Sequence, residues 1–305
     1  VTTMLLDAAS LYFRAFYGVP TSVTTPDGRP INAVRGFLDM SARLIATHGP
    51  DRFVACWDDD WRPAFRTEAL PSYKAHRVAQ EGGEEVPDEL GPQVPILVDV
   101  LAAAGIARVG APGYEADDVI GTLATRARGP VDVVTGDRDL FQLVDDARGV
   151  RILYTARGIS DLDFVDEAAV AEKYGIPGRS YADFAVLRGD PSDGLPGVSG
   201  VGAKTAAALI NEFGDLAGIR AAVERTVVPK PPLTAAVLKK MHAAADYLDA
   251  APVVVAVARD IDMPAVEGTL PRSPADPDAL AALAEQHGLQ NSVSRLGAVL
   301  GWPSR

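Results

Sequence analysis

The 305-residue chain has a single cysteine, Cys56. No intrachain disulfide can form, and a zinc–thiolate cluster is left without ligands. Histidine is scarce as well: His48, His76, His242 and His287 are scattered with no ligand spacing. No stretch approaches the apolar length of a membrane span, and the N-terminus lacks a signal-peptide pattern, so no membrane partner and a cytoplasmic location are expected. The first residue is valine, which fits a numbering that starts inside a longer chain. A general excess of basic residues is missing too: 29 Lys and Arg stand against 41 Asp and Glu, a net charge of −12. That excludes a uniformly basic nucleic-acid surface and leaves only local basic patches open. The remaining composition is ordinary for a globular protein, and the length suggests two domains with a substantial core.

What the chain does have is acid at the ends of apolar strands. Residues 113–145, GYEADDVIGTLATRARGPVDVVTGDRDLFQLVD, read as a helix, a strand and a second helix. Glu115, Asp117 and Asp118 open the first helix; Asp137 and Asp139 follow the strand VDVV. Glu115 and Asp118, three apart, share a helix face. Like charges this close repel unless protonated or bound to cations. Clustered oxygens suit a hard divalent ion, Mg2+ or Mn2+. Taken singly, either pair has a plainer use, as a complement to the helix dipole or as a cap. A DxD after a strand also occurs in sugar-nucleotide transferases.

Two further strands end in acid: Met4–Leu6 runs into Asp7, and Arg52–Trp57 into Asp58, Asp59 and Asp60. Asp7 or Ser10 can cap the helix that follows the first, whose apolar stripe is Leu11, Phe13, Ala15 and Phe16. Helices are expected at 31–48 and 90–104, strands at 106–109, 150–154 and 159–164. Alternating helices and strands predict an α/β fold with a mainly parallel sheet flanked by helices, whose strand carboxyl ends are the expected ligand side. After about 165 the pattern is helical, at 166–174, 180–188, 203–213, 215–224, 233–249, 276–287 and 291–299, with a break at Pro229–Pro232. The apolar run Val253–Val257 has the length of a strand.

The densest basic stretch is 63–77, with Arg66, Lys74, His76 and Arg77; a solvated helix face is the commoner use of such a group. Residues 78–87, VAQEGGEEVP, read as flexible and acidic. A second key stretch is 187–208, LRGDPSDGLPGVSGVGAKTAAA. Asp190 and Asp193 precede a turn with Gly197, Gly200 and Gly202, and Lys204 and Thr205 open a helix. Unpaired N–H groups at such a helix start bind phosphate, and Lys204 adds charge. The spacing is not that of a P-loop.

In combination, LLDAASLYFRAF, SYKAHR, GYEADDVIGTLA, VVTGDRDLFQLV and GDPSDGLPGVSGVGAKTA resemble the 5′ nuclease family, which includes the N-terminal domain of bacterial DNA polymerase I, the phage 5′ exonucleases and the flap endonucleases. The resemblance runs roughly from Met4 to Tyr247 and makes the transferase reading remote. It implies a PIN-like α/β nuclease core at 1–178, with an arch at about 70–92. It also implies a mainly helical DNA-binding region at 179–305, with a helix–hairpin–helix element at about 187–213. The family's metal acids fall on Asp7, Asp58, Glu115, Asp117, Asp118, Asp137, Asp139, Asp190 and Asp193. Asp118, Asp137 and Asp139 would hold one ion and Asp190 and Asp193 help with a second, the rest binding directly or ordering water. Lys74 and Arg77 match the basic residues near the scissile phosphate, with Arg66 behind them, and Arg14 the arginine of the first helix. Gly197, Gly200, Gly202, Lys204 and Thr205 match the DNA grip, which in relatives also holds K+.

The implied activity is divalent-metal hydrolysis of DNA near single-strand/double-strand junctions, giving 5′-phosphates. The partners would be DNA with 5′ flaps, nicks or 5′ ends, RNA–DNA hybrid among them, met by a monomer at the nucleoid. An inactive structure-specific DNA-binding protein and a PIN-type RNase are the rivals. The chain departs from the family pattern at Ala8, where Gly is usual, at Gly194-Leu195 in place of Asn-Ile, and in a longer segment after Arg77 that carries Glu81, Glu84 and Glu85.

Overall fold

The computed structural model describes residues 1–80, 82–226 and 228–303; Glu81 lies outside them. The first part of the chain runs β1 (Thr3–Asp7), α1 (Ala8–Gly18), α2 (Asn32–His48), β2 (Arg52–Cys56), α3 (Ala64–Ala69), α4 (Gln93–Ala104), β3 (Ala107–Val109), α5 (Ala116–Arg126), β4 (Val131–Thr135), β5 (Val150–Tyr154) and β6 (Asp163–Val165). Helices follow: α6 (Glu167–Tyr174), α7 (Tyr181–Arg188), α8 (Ala203–Phe213), α9 (Leu216–Arg225), α10 (Ala235–Ala243), α11 (Ala245–Val255), α12 (Pro277–His287) and α13 (Gln290–Leu300).

The six strands form one sheet in the order β3-β2-β1-β4-β5-β6. All pairings are parallel except β6, which runs antiparallel to β5 at the edge. Both faces are covered, so the strands are apolar on both sides. Leu5, Val54, Val133 and Ile152 point into the core shared with α5, α7 and the later helices. Their neighbours Met4, Leu6, Phe53, Ala55, Val134 and Leu153 point to the opposite core, under α1, α2 and α4. Strands are added outward from β1 in one direction and from β4 in the other, so the topology switches between β1 and β4. An open α/β sheet leaves a crevice at the carboxyl ends of the strands on such a switch. Asp7 is the last residue of β1 and Thr135 the last of β4.

Several elements differ from the sequence reading. No α-helix follows β4; a five-residue 3₁₀ turn, Asp139–Leu143, stands there. The Gln142 amide donates to the Asp139 and Val255 carbonyls and ties the turn to α11 instead of letting a helix propagate. The single helix expected at 233–249 is split at Ala244 into α10 and α11. Val253–Val257 is no strand: α11 runs through Val255, because Leu248, Ala251, Val254 and Val255 make a buried helical stripe. Finally, α12 and α13 do not stay with the helical region. They return to the α/β layer, where Leu280, Ala284, Leu289 and Leu296 join the core beneath α2 and α4.

Candidate metal and phosphate site

At the switch point lies an open cleft of about 400 Å³ lined by Asp7, Asp58, Glu115, Asp117, Asp137 and Asp190, with Lys74, Arg77 and Arg138 facing them. Local structure explains how each acid arrives. Asp7 ends β1 and caps α1, accepting from the Ser10 N–H at 3.0 Å, and its other oxygen accepts from the Thr135 hydroxyl at 2.7 Å. Ser10 is therefore not the cap; its hydroxyl accepts from the Gly136 N–H at 2.8 Å and pins the turn after β4. In that turn Asp137 accepts from the Asp139 N–H at 2.8 Å. Glu115 and Asp118 form a capping box on α5, and Asp58 accepts from Ala116 N–H at 2.7 Å. Asp59 turns the other way, against Gly110. Asp190 opens a short 3₁₀ turn, Pro191–Asp193, from the helical side.

Electrostatics mark these acids as a group. Burial, then the charge of Asp58, pushes the Asp7 carboxyl up to about 7. Burial, then Asp137, holds Asp117 well above the usual carboxylate range. The same two causes act on Asp139, with Asp193 and Asp190 adding to them. Asp58 and Asp193 are raised mainly by burial. Carboxylates that raise one another in this way are stabilised by cations. The Asp139 Oδ1 is buried without any hydrogen-bond partner, an acceptor that a hard cation fits. Among the described residues no three His, Cys, Asp or Glu side chains form a ready-made cage. The chain's own cations stand between them: Lys74 on Glu115, Arg77 on Asp193 at 3.0 Å, and Arg188 and Arg138 at 3.5 and 3.9 Å from Asp190.

Several expected site residues are built into the fold itself. Arg66 is 2% exposed and cannot touch DNA. Its guanidinium binds Glu115 and both oxygens of Asp118, at 2.7 and 2.8 Å, and donates to the Val254 carbonyl at 2.9 Å. Asp118, fully buried, also accepts from the Ala258 N–H at 2.8 Å and the Glu115 N–H at 3.2 Å. Its oxygens are engaged by this seam between α3, α5 and the end of α11. Glu115 shares the seam, taking Arg66, the Tyr73 hydroxyl at 2.6 Å and Lys74. Arg14 sits beside Gly136 with its buried Nε unpartnered, on the same helix as Phe13 and Ser10, which line the cleft. Phe13 is half-buried: it packs against the small cluster of Phe16, Ala33 and Leu90 and also lines the cleft.

The segment after Arg77, read as flexible and acidic, carries backbone hydrogen bonds on either side of Glu81. Ala79 N–H donates to the Gly83 carbonyl and Glu85 N–H to the Arg77 carbonyl, and Glu84 lines the cleft. Burial and the charge of Asp58 raise the Glu84 carboxyl. In the glycine turn, Gly197 (φ +69°) passes so close to Arg188 that a Cβ would lie 2.5 Å from its carbonyl. Gly202 caps α8, and Lys204 is exposed on its first turn, with Thr205 half-buried beside it. Three participants were not singled out from sequence: Arg138, read only as a spacer between two acids; Tyr73; and Lys240. The last reaches from α10 to donate to the Gly200 carbonyl at 2.9 Å, and no spacing signal links it to a turn forty residues earlier.

Residues 2–175 match the family described as 5'-3' exonuclease, N-terminal resolvase-like domain, and residues 176–278 match 5'-3' exonuclease, C-terminal SAM fold. A 5'-3' exonuclease of Streptomyces coelicolor is 61% identical over 298 residues, covering 96% of this chain and 98% of that protein. One of Mycobacterium tuberculosis is 50% identical over 311 residues, covering 97% of each. The crystal structure of T5 D15 protein with metal ions superposes with a TM-score of 0.63 at 17% identity, over 98% of both chains, a likeness of fold. With the family description spanning both halves of the chain and two near-full-length relatives in agreement, the protein belongs to the 5′-3′ exonuclease family.

Proposed function

We propose that the protein hydrolyses DNA phosphodiesters at 5′ ends, nicks and 5′ flaps, as a metal-dependent 5′-3′ exonuclease and flap endonuclease that leaves 5′-phosphates and acts as a single chain. One observation carries this reading: acids from β1, the β4 turn, the start of α5 and the 190–193 loop share one cleft with Lys74 and Arg77. Asp7, Asp117, Asp137 and Asp139, joined by Asp190 and Asp193, would hold Mg2+ or Mn2+. Such ions supply a nucleophilic hydroxide and relieve charge on the phosphate. Asp58, bonded to the start of α5, would order water around them. Lys74 and Arg77 would orient the scissile phosphate and stabilise its growing charge. Buried opposite Glu115, Lys74 stays protonated: burial lowers its pKa, but the carboxylate raises it further, well above the usual value for lysine.

Duplex would be gripped through its backbone by the N–H groups at the start of α8 and by Lys204. A potassium ion at the glycine turn belongs to the same proposal. The test is cleavage of 5′-flap, nicked and RNA–DNA hybrid substrates, with single-stranded RNA alongside. Chelation should stop cutting of DNA and added Mg2+ or Mn2+ restore it. Binding without cutting, or undiminished cutting by metal-stripped protein in chelator, would refute the proposal.

A further inference from the structure

Around the cleft, Lys74, Arg77, Arg138 and Arg188 each stand in ion-pair range of a carboxylate. Arg14 differs. Its Nε is buried without a hydrogen-bond partner, and it forms no ion pair among the described residues, in a chain whose net charge is −12. It has polar company. Gly136, in the turn after β4, leaves a gap: a Cβ there would lie 2.8 Å from Ser10 Oγ, 3.2 Å from Thr155 Oγ1 and 3.9 Å from Arg14 Nη2. Thr155, just after β5, is fully buried, and its hydroxyl has no partner either. Its neighbour Tyr154 lines the cleft with Gly136 and Arg138. Burial raises the Tyr154 hydroxyl, and the two cations acting against burial are Arg138 and Arg14. The Arg138 side chain is 42% exposed, with Asp190 no nearer than 3.9 Å. Two guanidiniums with donors to spare thus meet at the β4–β5 end of the cleft, beside two hydroxyls. Lys74 stands toward β2 and α5, bonded to Glu115 and 3.5 Å from the Trp61 carbonyl. Asp7, at the end of β1, lies between the two groups in the sheet order.

We propose that Arg14 and Arg138, with the Tyr154 hydroxyl, form a second phosphate subsite, which takes the phosphodiester next to the scissile one in the DNA strand. Planar guanidinium forks suit the oxygens of a phosphate, and the Thr155 hydroxyl adds a donor at the back of the gap. The strand is then held on both sides of the carboxylates, by Lys74 on one and by this subsite on the other. The inference rests on the reading above that the cleft cuts DNA with Lys74 and Arg77 on the scissile phosphate.

Neutral methylphosphonate linkages test it, placed one at a time at the phosphates on either side of the scissile one in a 5′-flap DNA. In single-turnover cleavage with Mn2+, one of these two positions should raise the half-saturating concentration of the wild type by roughly 10-fold or more, the size of a lost charge-assisted contact. Arg138→Met should lose a similar factor on unmodified DNA and should not respond further to the methylphosphonate at that position, because the contact is already gone. Arg14→Met should behave alike, and Tyr154→Phe should show the same pattern on a smaller scale. Losses that multiply at both positions in the arginine variants, or a wild type indifferent to both methylphosphonates, would overturn the proposal. Should the half-buried Arg14→Met not fold, the exposed Arg138→Met decides alone. A wild-type protein that cut no DNA would sink the functional reading. The subsite would still be decided by flap binding in chelator, where Arg138→Met should flatten the slope of log affinity against log salt by about 0.7 to 0.9; an unchanged slope would refute it.

Discussion

Asp117 and Asp118 are neighbours on one helix turn, and their surroundings could hardly differ more. Asp118 is fully buried, and Arg66 and two backbone N–H groups satisfy its oxygens. Asp117 faces the cleft, and its strongest charged neighbours are other acids, Asp137 and Asp7 ahead of the rest. The helix rotates successive residues by about 100°, so one step along the chain moves a carboxylate from a closed ion-pair network to an open acidic cleft. An acid whose partners are already present holds the fold together, and an acid surrounded by acids is waiting for something from outside. Arg66 and Lys74 repeat the contrast on the basic side: one is sealed against Glu115 and Asp118, and the other spans Glu115 and the cleft.

The sharpest break in this comparison should come from Asp117→Asn and Asp118→Asn. The first keeps shape but removes a charged oxygen from the cleft. Turnover should drop by several orders of magnitude, with DNA binding near normal, because the loss acts on the transition state. Stability of the metal-stripped protein should hold or rise. Asp118→Asn should do the reverse, with stability lost first and metal affinity little changed. Single-turnover cleavage across a Mn2+ titration, together with urea unfolding, reads both. Similar shifts of the metal midpoint in the two variants would erase the distinction.

Next in size is the seam itself. Arg66→Met leaves Glu115 and Asp118 buried without their guanidinium. Breaking a buried pair from one side costs about 3–5 kcal/mol. Arg66→Met/Asp118→Leu should recover much of that loss, since a hydrophobic replacement of both partners is often neutral. An Arg66→Met protein as stable as the wild type in denaturant would show that the seam is not what joins α3 and α5 to the end of α11.

The cleft predicts a pH effect of opposite character. The Asp7 carboxyl, ordinarily titrating at 3.8, holds its proton up to about 7 in the folded chain. Between those values the folded chain binds more protons than the unfolded one, so stability falls as pH rises through the window. Metal-stripped protein should therefore melt lower at pH 8 than at pH 5. Mg2+ or Mn2+ should raise the melting temperature more at pH 8, because at pH 5 the ion must displace protons. Equal stability of the stripped protein at both pH values would mean that the acids do not strain the fold.

Much of this was legible in the sequence because it is local. Apolar runs ending in acid gave the strands and the side of the sheet that carries the site, and the Gly197–Lys204 spacing gave the turn and the start of α8. What escaped depends on distant partners. Nothing in EADD distinguishes Asp117 from Asp118; the distinction comes from Arg66, about fifty residues earlier, and from Ala258, 140 residues later. Val253–Val257 looked like a strand because apolar composition alone cannot separate a buried strand from the end of a buried helix. The second helix after β4 failed for a tertiary reason, since Gln142 ties its turn to Val255.

The smallest effect sharpens the comparison at the other end of the molecule. Lys204 is exposed on the first turn of α8, far less constrained than Lys74. A lysine in that position acts on phosphate as a point charge beside the helix N–H groups. Its loss should weaken duplex binding only modestly and uniformly across sequences, leaving the cleavage rate at saturating DNA unchanged. The telling quantity is the salt dependence. Each phosphate contact contributes about 0.9 to the slope of log affinity against log salt, so Lys204→Ala should flatten the slope by about one. Lys74→Ala should leave that slope nearly intact and lower the plateau rate instead. Duplex affinity measured from 50 to 300 mM salt decides it. An unchanged slope in Lys204→Ala would make that lysine a solvated helix residue and shift the grip to the backbone N–H groups alone.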